Sequence, residues 1–119
     1  MSIAATVTKI WNDGDCTHVV GTLAFSGNYT TGGDTLNWKT IAGFIKSSLL
    51  PVWVDIQGIS GFKYEHQMGA GGDQSVCKVL VRVEQAVATN TPLGEHSAAA
   101  YVAGVTGDTV RFHSIWVLR

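Results

Sequence analysis

The sequence predicts an all-β fold, an antiparallel jelly-roll-like β-sandwich with one or two short helical turns, in a single domain over residues 1–119. Three observations predict it. Apolar side chains recur at every second position through six separate segments, the period of a strand. Those segments are rich in Val, Ile, Thr and aromatic residues, which suit a pleated surface. Clusters of Gly, Asp and Asn divide them at short intervals. A chain of 119 residues is long enough for one core and too short for two.

The first segment sets Val7 and Trp11 against Thr6, Thr8 and Ile10. "NDGD" at 12–15 is a hairpin signal, because Gly supplies the positive φ of a tight turn. "CTHVVGTLAF" then puts Val19, Leu23 and Phe25 on one face and His18, Val20 and Thr22 on the other. "WKTIAGFIKSSLL" breaks the pattern: Ile41, Phe44, Ile45 and Leu49 fall at helical spacing. Pro51 marks a strand start, where its missing N–H costs little. "VWVDIQ" sets Val52, Val54 and Ile56 against Trp53, Asp55 and Gln57. After the break "GISG", Phe62 and Tyr64 alternate with Lys63 and Glu65. "GAGGDQ" lacks the last glycine of a dinucleotide fingerprint and any βαβ setting, so it reads as a hairpin tip. Cys77, Val79, Val81, Val83 and Val87 then oppose Lys78, Arg82 and Glu84. "LGEHSAAAYVAG" is Ala-rich and suits one helical turn. The last segment puts Val110, Phe112, Trp116 and Leu118 on one face and Thr109, Arg111 and His113 on the other.

One stretch occurs twice: "TGGDTLNW" from Thr31 and "TGDTVRF" from Thr106. Each offers one carboxylate, and a calcium loop needs several oxygen ligands at close spacing. Gly and Asp tolerate the backbone that a strand entry requires. The pair therefore reads as two equivalent loop-to-strand entries at the same end of the sandwich.

The chemistry of enzymes leaves no motif. There is no Gly-x-Ser-x-Gly, no Ser-x-x-Lys with partners and no Walker loop. Cys16 and Cys77 match no zinc spacing. The four histidines, His18, His66, His96 and His113, show no His-x-His set, so they read as solvated or interface residues. The expectation is a protein that is not an enzyme and carries no metal or cofactor. Net charge is −1 with no basic stripe, which leaves nucleic-acid binding without an electrostatic footprint. No apolar run reaches the ~20 residues of a bilayer span. "MSIAATVTKIW" has neither the basic nor the apolar part of a signal peptide, so synthesis in a reducing cytoplasm is expected.

Charged residues make up only 14% of the chain, against roughly 25% in an average one. Such a surface is suited to contact with copies of itself or a partner. Four tryptophans supply aromatic area. Trp53, Trp116, Trp38 and Tyr64 are the expected interface residues, with Trp53 set away from the valines of its own strand. Three rings, Trp53, Trp38 and Tyr64, could also stack on a sugar, which keeps a carbohydrate- or receptor-binding module open.

"HVVGTLAFSGNYTTGGDTL", "LPVWVDIQGISGF", "KVLVRV" and "AAAYVAGVTGDTVRFHSIWVL" form an ordered set covering about two thirds of the chain. As a set they resemble the small structural proteins encoded beside the major capsid protein of tailed phages. The resemblance implies a virion protein of the capsid decoration, or cement, type, placed on the capsid exterior with the major capsid protein as partner. It implies no catalytic residue. A trimer is the expected homo-oligomer, since three capsid subunits meet where such domains sit. Another virion subunit, from the tail or the head–tail junction, is the alternative.

Overall fold

The computed structural model describes residues 3–41, 51–68, 76–83 and 94–117. Within them the chain is built of antiparallel strands with two helices of one turn each, as the alternation requires. Strand β1 (Ile3–Asp13) turns at Gly14 into β2 (Cys16–Phe25). Then come β3 (Asp34–Leu36), the helical turn α1 (Trp38–Ile41), β4 (Trp53–Gln57) and β5 (Lys63–Gln67). They are followed by β6 (Cys77–Val83), β7 (Gly94–Glu95), α2 (Ala103–Thr106) and β8 (Val110–Val117). The helical expectation over 38–50 holds for its first turn. Residues 42–50, the "GAGGDQ" tip, Val87 and Leu118 lie outside the described residues.

The strands join in one continuous sheet in the order β1-β2-β8-β4-β5-β6-β3, with β7 also paired to β6. The all-β, antiparallel expectation holds, and the described strands form one continuous sheet. It curls, because β1 and β3, at opposite ends of that order, approach each other. Side chains of distant strands accordingly meet inside. Phe25 of β2 stacks on Tyr64 of β5 with centroids 5.3 Å apart. The Trp38 ring, at the start of α1, meets Phe112 and Trp116 of β8 edge-on at 5.6 and 5.4 Å. Val19, Leu23, Phe25, Val79, Val81, Val110, Phe112 and Trp116 are all buried, on the faces their alternation assigns.

β1 departs from simple alternation. Its register against β2 slips between Val7 and Lys9, so Thr8 is an extra residue in a β-bulge. Val7 pairs with the inward Gly21, whereas Trp11 pairs with the outward His18. The face of Trp11 is thus opposite to that of Val7, a correction to the single stripe expected of this segment.

Register also defines two ends. At one, the hairpin end, lie the β1–β2 turn, the finish of β8 and β5, and the start of β4 and β6. At the other, the entry end, the chain comes into both β3 and β8, as the repeated motif implied. The two motif carboxylates do the same work there. Asp34 accepts from the Tyr101 hydroxyl and from Thr30 N (3.2 Å). Asp108 accepts from the Tyr64 hydroxyl (2.7 Å) and from Ile59 N and Ser60 N (2.9 and 3.1 Å). Glu95 adds a third clasp, taking Tyr29 Oη at 2.5 Å and Gly32 N at 2.6 Å. All three tyrosines of the chain thus donate to carboxylates at the entry end. Their loops differ in detail: Gly33 has φ 100°, with Val79 O 2.9 Å from where a Cβ would sit, while Gly107 has φ −94°.

Candidate binding surface

The outer face of β2, β8 and β4 carries the chemistry left over from the core. Because outward positions pair across strands, Thr22, Arg111 and Gln57 form one row, and Val20, His113 and Asp55 the next. His18, Ile115 and Trp53 form a third, nearer the hairpin end.

This third row is knit by rings. His18 Nδ1 and His113 Nε2 lie 2.9 Å apart, so one ring donates to the other. Trp11 stacks flat on His18 at 4.7 Å, an alignment the bulge at Thr8 makes possible. Trp53 meets His113 edge-on at 5.3 Å, with 46% of its surface still exposed. Lys9 Nζ stands 5.6 Å from the Trp11 ring.

The first two rows floor a groove of about 660 Å³. Thr8, at the bulge, walls one side, and Gly58, Ile59 and Thr109 wall the end. Asp55 accepts from Gln57 Nε2 at 3.1 Å. Arg82, on a different part of the sheet, is matched by Glu65 at 3.1 Å. Arg111 has no such match: among the described residues no carboxylate lies within ion-pair distance of it.

Of the four expected interface residues, Trp53 alone presents its ring outward. Trp116 and Trp38 are completely buried and Tyr64 is 5% exposed. Their area is consumed inside the chain, so they offer nothing to a partner or a sugar while the chain is folded. Trp116 Nε1 donates to Ser114 Oγ at 3.0 Å, and Trp38 Nε1 to His66 Nε2 at 3.0 Å. That bond needs a neutral imidazole, and burial drives the His66 pKa down to about 4. His96 is buried against Tyr29 and Tyr101. The His18–His113 pair escapes sequence reasoning, because its members are 95 positions apart and nothing local says that β2 neighbours β8.

Apolar exposure concentrates at the hairpin end. Ile10, Val52, Trp53, Met68 and Val76 are all exposed there. Ile59 and Val102 are exposed at the entry end. Cys16 and Cys77 are not joined in a disulfide. No group of three or more His, Cys, Asp and Glu side chains that could hold a metal ion occurs among the described residues. No helix among them is long and apolar enough to cross a membrane. In the comparisons with known proteins, no family model, no curated protein and no solved structure matches this chain.

Proposed function

We propose that this chain is a structural subunit of a tailed-phage virion, a decoration protein that binds the outer capsid surface and opposes its rupture. Its work is burial of surface and involves no reaction. The observation that carries the reading is that five of the seven large apolar side chains exposed among the described residues, Ile10, Val52, Trp53, Met68 and Val76, lie at the hairpin end. An end that leaves so many apolar side chains in water suits a contact that excludes it. Aromatic anchors contribute most per residue to such contacts, and Trp53 is the anchor here. The low charge content and the four-segment resemblance support the same reading. Three copies around a capsid threefold, each burying on the order of 1,000 Å² or more in its contacts, would hold against dilution.

Co-sedimentation with shells assembled from the major capsid protein encoded beside it tests this. The wild-type chain should pellet with the shells. Trp53→Ala should weaken that binding at least tenfold and change stability by less than about 1 kcal/mol, because the ring is half in water. Trp116→Ala, in the core, should cost about 3–5 kcal/mol of stability instead. A chain that stays monomeric and ignores capsid shells sinks the proposal. Recovery with tails and not with heads would reassign it to a tail or head–tail subunit.

A further inference from the structure

We propose that the groove on the outer face of β2, β8 and β4 is a binding site for a carboxylated sugar. The site lies on the outer face beside the hairpin end, where His113 meets Trp53, and stands independently of the capsid reading.

The groove's size, lining and charge select this ligand. The groove's volume of about 660 Å³ falls within the ~300–1,000 Å³ of small-ligand clefts. Its polar groups are side chains standing on a rigid base: Thr22, Asp55, Gln57, Thr109, Arg111 and His113. Hydroxyl, carboxylate, amide and imidazole groups in one shallow site match a ligand that bears many hydroxyls. Val20 and Ile59 offer apolar surface for its C–H face. β2 and β8, in the middle of the floor, are each paired on both sides, so their backbone groups are committed. An extended peptide, which binds by adding main-chain bonds at a sheet edge, would find none along them. Arg111 then sets the charge. Its guanidinium has no carboxylate partner among the described residues, and its planar fork fits a carboxylate in two parallel bonds. Asp55, already accepting from Gln57, is left to receive sugar hydroxyls.

Backbone amide shifts of the isotope-labelled chain, titrated with sialyllactose, lactose, sodium acetate and sodium sulfate, test the proposal. Sialyllactose should move the amides of Val20, Thr22, Arg111 and His113 in a saturable way. Lactose should move the same amides with at least about tenfold weaker affinity, one charge-assisted pair being worth that much. Arg111→Gln should remove the preference and leave weak lactose binding. Thr22→Tyr, which fills the groove from an exposed strand position, should abolish both while the remaining spectrum stays that of the folded protein. The proposal is overturned by an unmoved groove at millimolar sialyllactose, or by an Arg111→Gln variant that binds it as well as wild type. Acetate or sulfate acting as strongly as sialyllactose also overturns it, since the groove would then be only an anion site. Capsid co-sedimentation reads out a different surface, so either proposal can fail without the other.

Discussion

His66 shows how one side chain ties stability to pH. Its Nε2 accepts from Trp38 Nε1, and burial holds the folded pKa at about 4, below the ~6.5 of the unfolded chain. Between those values the unfolded state binds a proton that the folded state refuses. Stability is therefore full above pH ~6.5 and falls as the pH is lowered toward 4, by up to about 3 kcal/mol. Denaturant midpoints measured across that window should show the slope. His66→Gln, which keeps an acceptor for Trp38 but does not titrate, should flatten it. Asp108 acts further into acid. Burial raises its pKa, but the Tyr64 hydroxyl and the N–H groups of Ile59 and Ser60 outweigh this and hold it below the usual range. Its contribution is present above the unfolded carboxylate pKa and is lost as pH falls through the lower, folded one. Asp108→Ala, which strands three donors, should cost about 1–3 kcal/mol.

Among the elements, β2, β4 and β8 are legible in the sequence because each has one wet and one dry face, and β6 follows them except at Leu80, which is buried on the face of Lys78 and Arg82. The reading of β1 fails at Thr8, since a bulge leaves no local mark: its cause is pairing to a neighbour, and the residue itself is an ordinary strand former. Alternation also places Trp116 with Val110 and Phe112, on the face that proves buried, so its assignment to a contact surface ran against its own strand pattern. Trp38 and Tyr64 could not be placed so simply. Trp38 stands at a strand-to-helix junction, and Tyr64 is closed over by the curl of the sheet. The outer groove was beyond reach for the same reason, as it needs β2, β8 and β4 side by side. Gly21 gives the element scale its sharpest test. A Cβ there would lie 2.0 Å from Thr6 O and 2.9 Å from the Phe112 ring. Gly21→Ala should force β1 off β2 and lower stability by more than about 3 kcal/mol, or prevent folding, as read by thermal melting. Thr22→Ala, one position along on the exposed face, should change it by less than about 1 kcal/mol.

Across the whole molecule, the two ends of the curled sheet are chemically unlike. The entry end is clasped by tyrosine–carboxylate bonds, and the hairpin end bears most of the apolar side chains exposed among the described residues. Burial, then the partnering carboxylate, raises the pKa of Tyr29, Tyr64 and Tyr101 well above the ordinary phenol value. Their contribution is complete below the unfolded pKa of ~10 and is lost as pH rises beyond it. The near-ultraviolet phenolate signal should therefore appear late, in one cooperative step that coincides with loss of the folded circular dichroism signal. Three independent titrations near pH ~10 would show that the clasps do not hold.

The sheet order has a consequence for synthesis. Strand β8 comes last in sequence among the described strands yet lies between β2 and β4. Until Val110–Val117 has left the ribosome, the β1–β2 hairpin has nothing to join it to the rest of the sheet, and the Trp38 ring lacks the Phe112 and Trp116 that cover it. A nascent chain halted before β8 should stay open and sensitive to protease along its whole length. A released chain that includes those eight residues should close in a single step, late and slow, since every pairing β8 makes joins residues more than 50 positions apart.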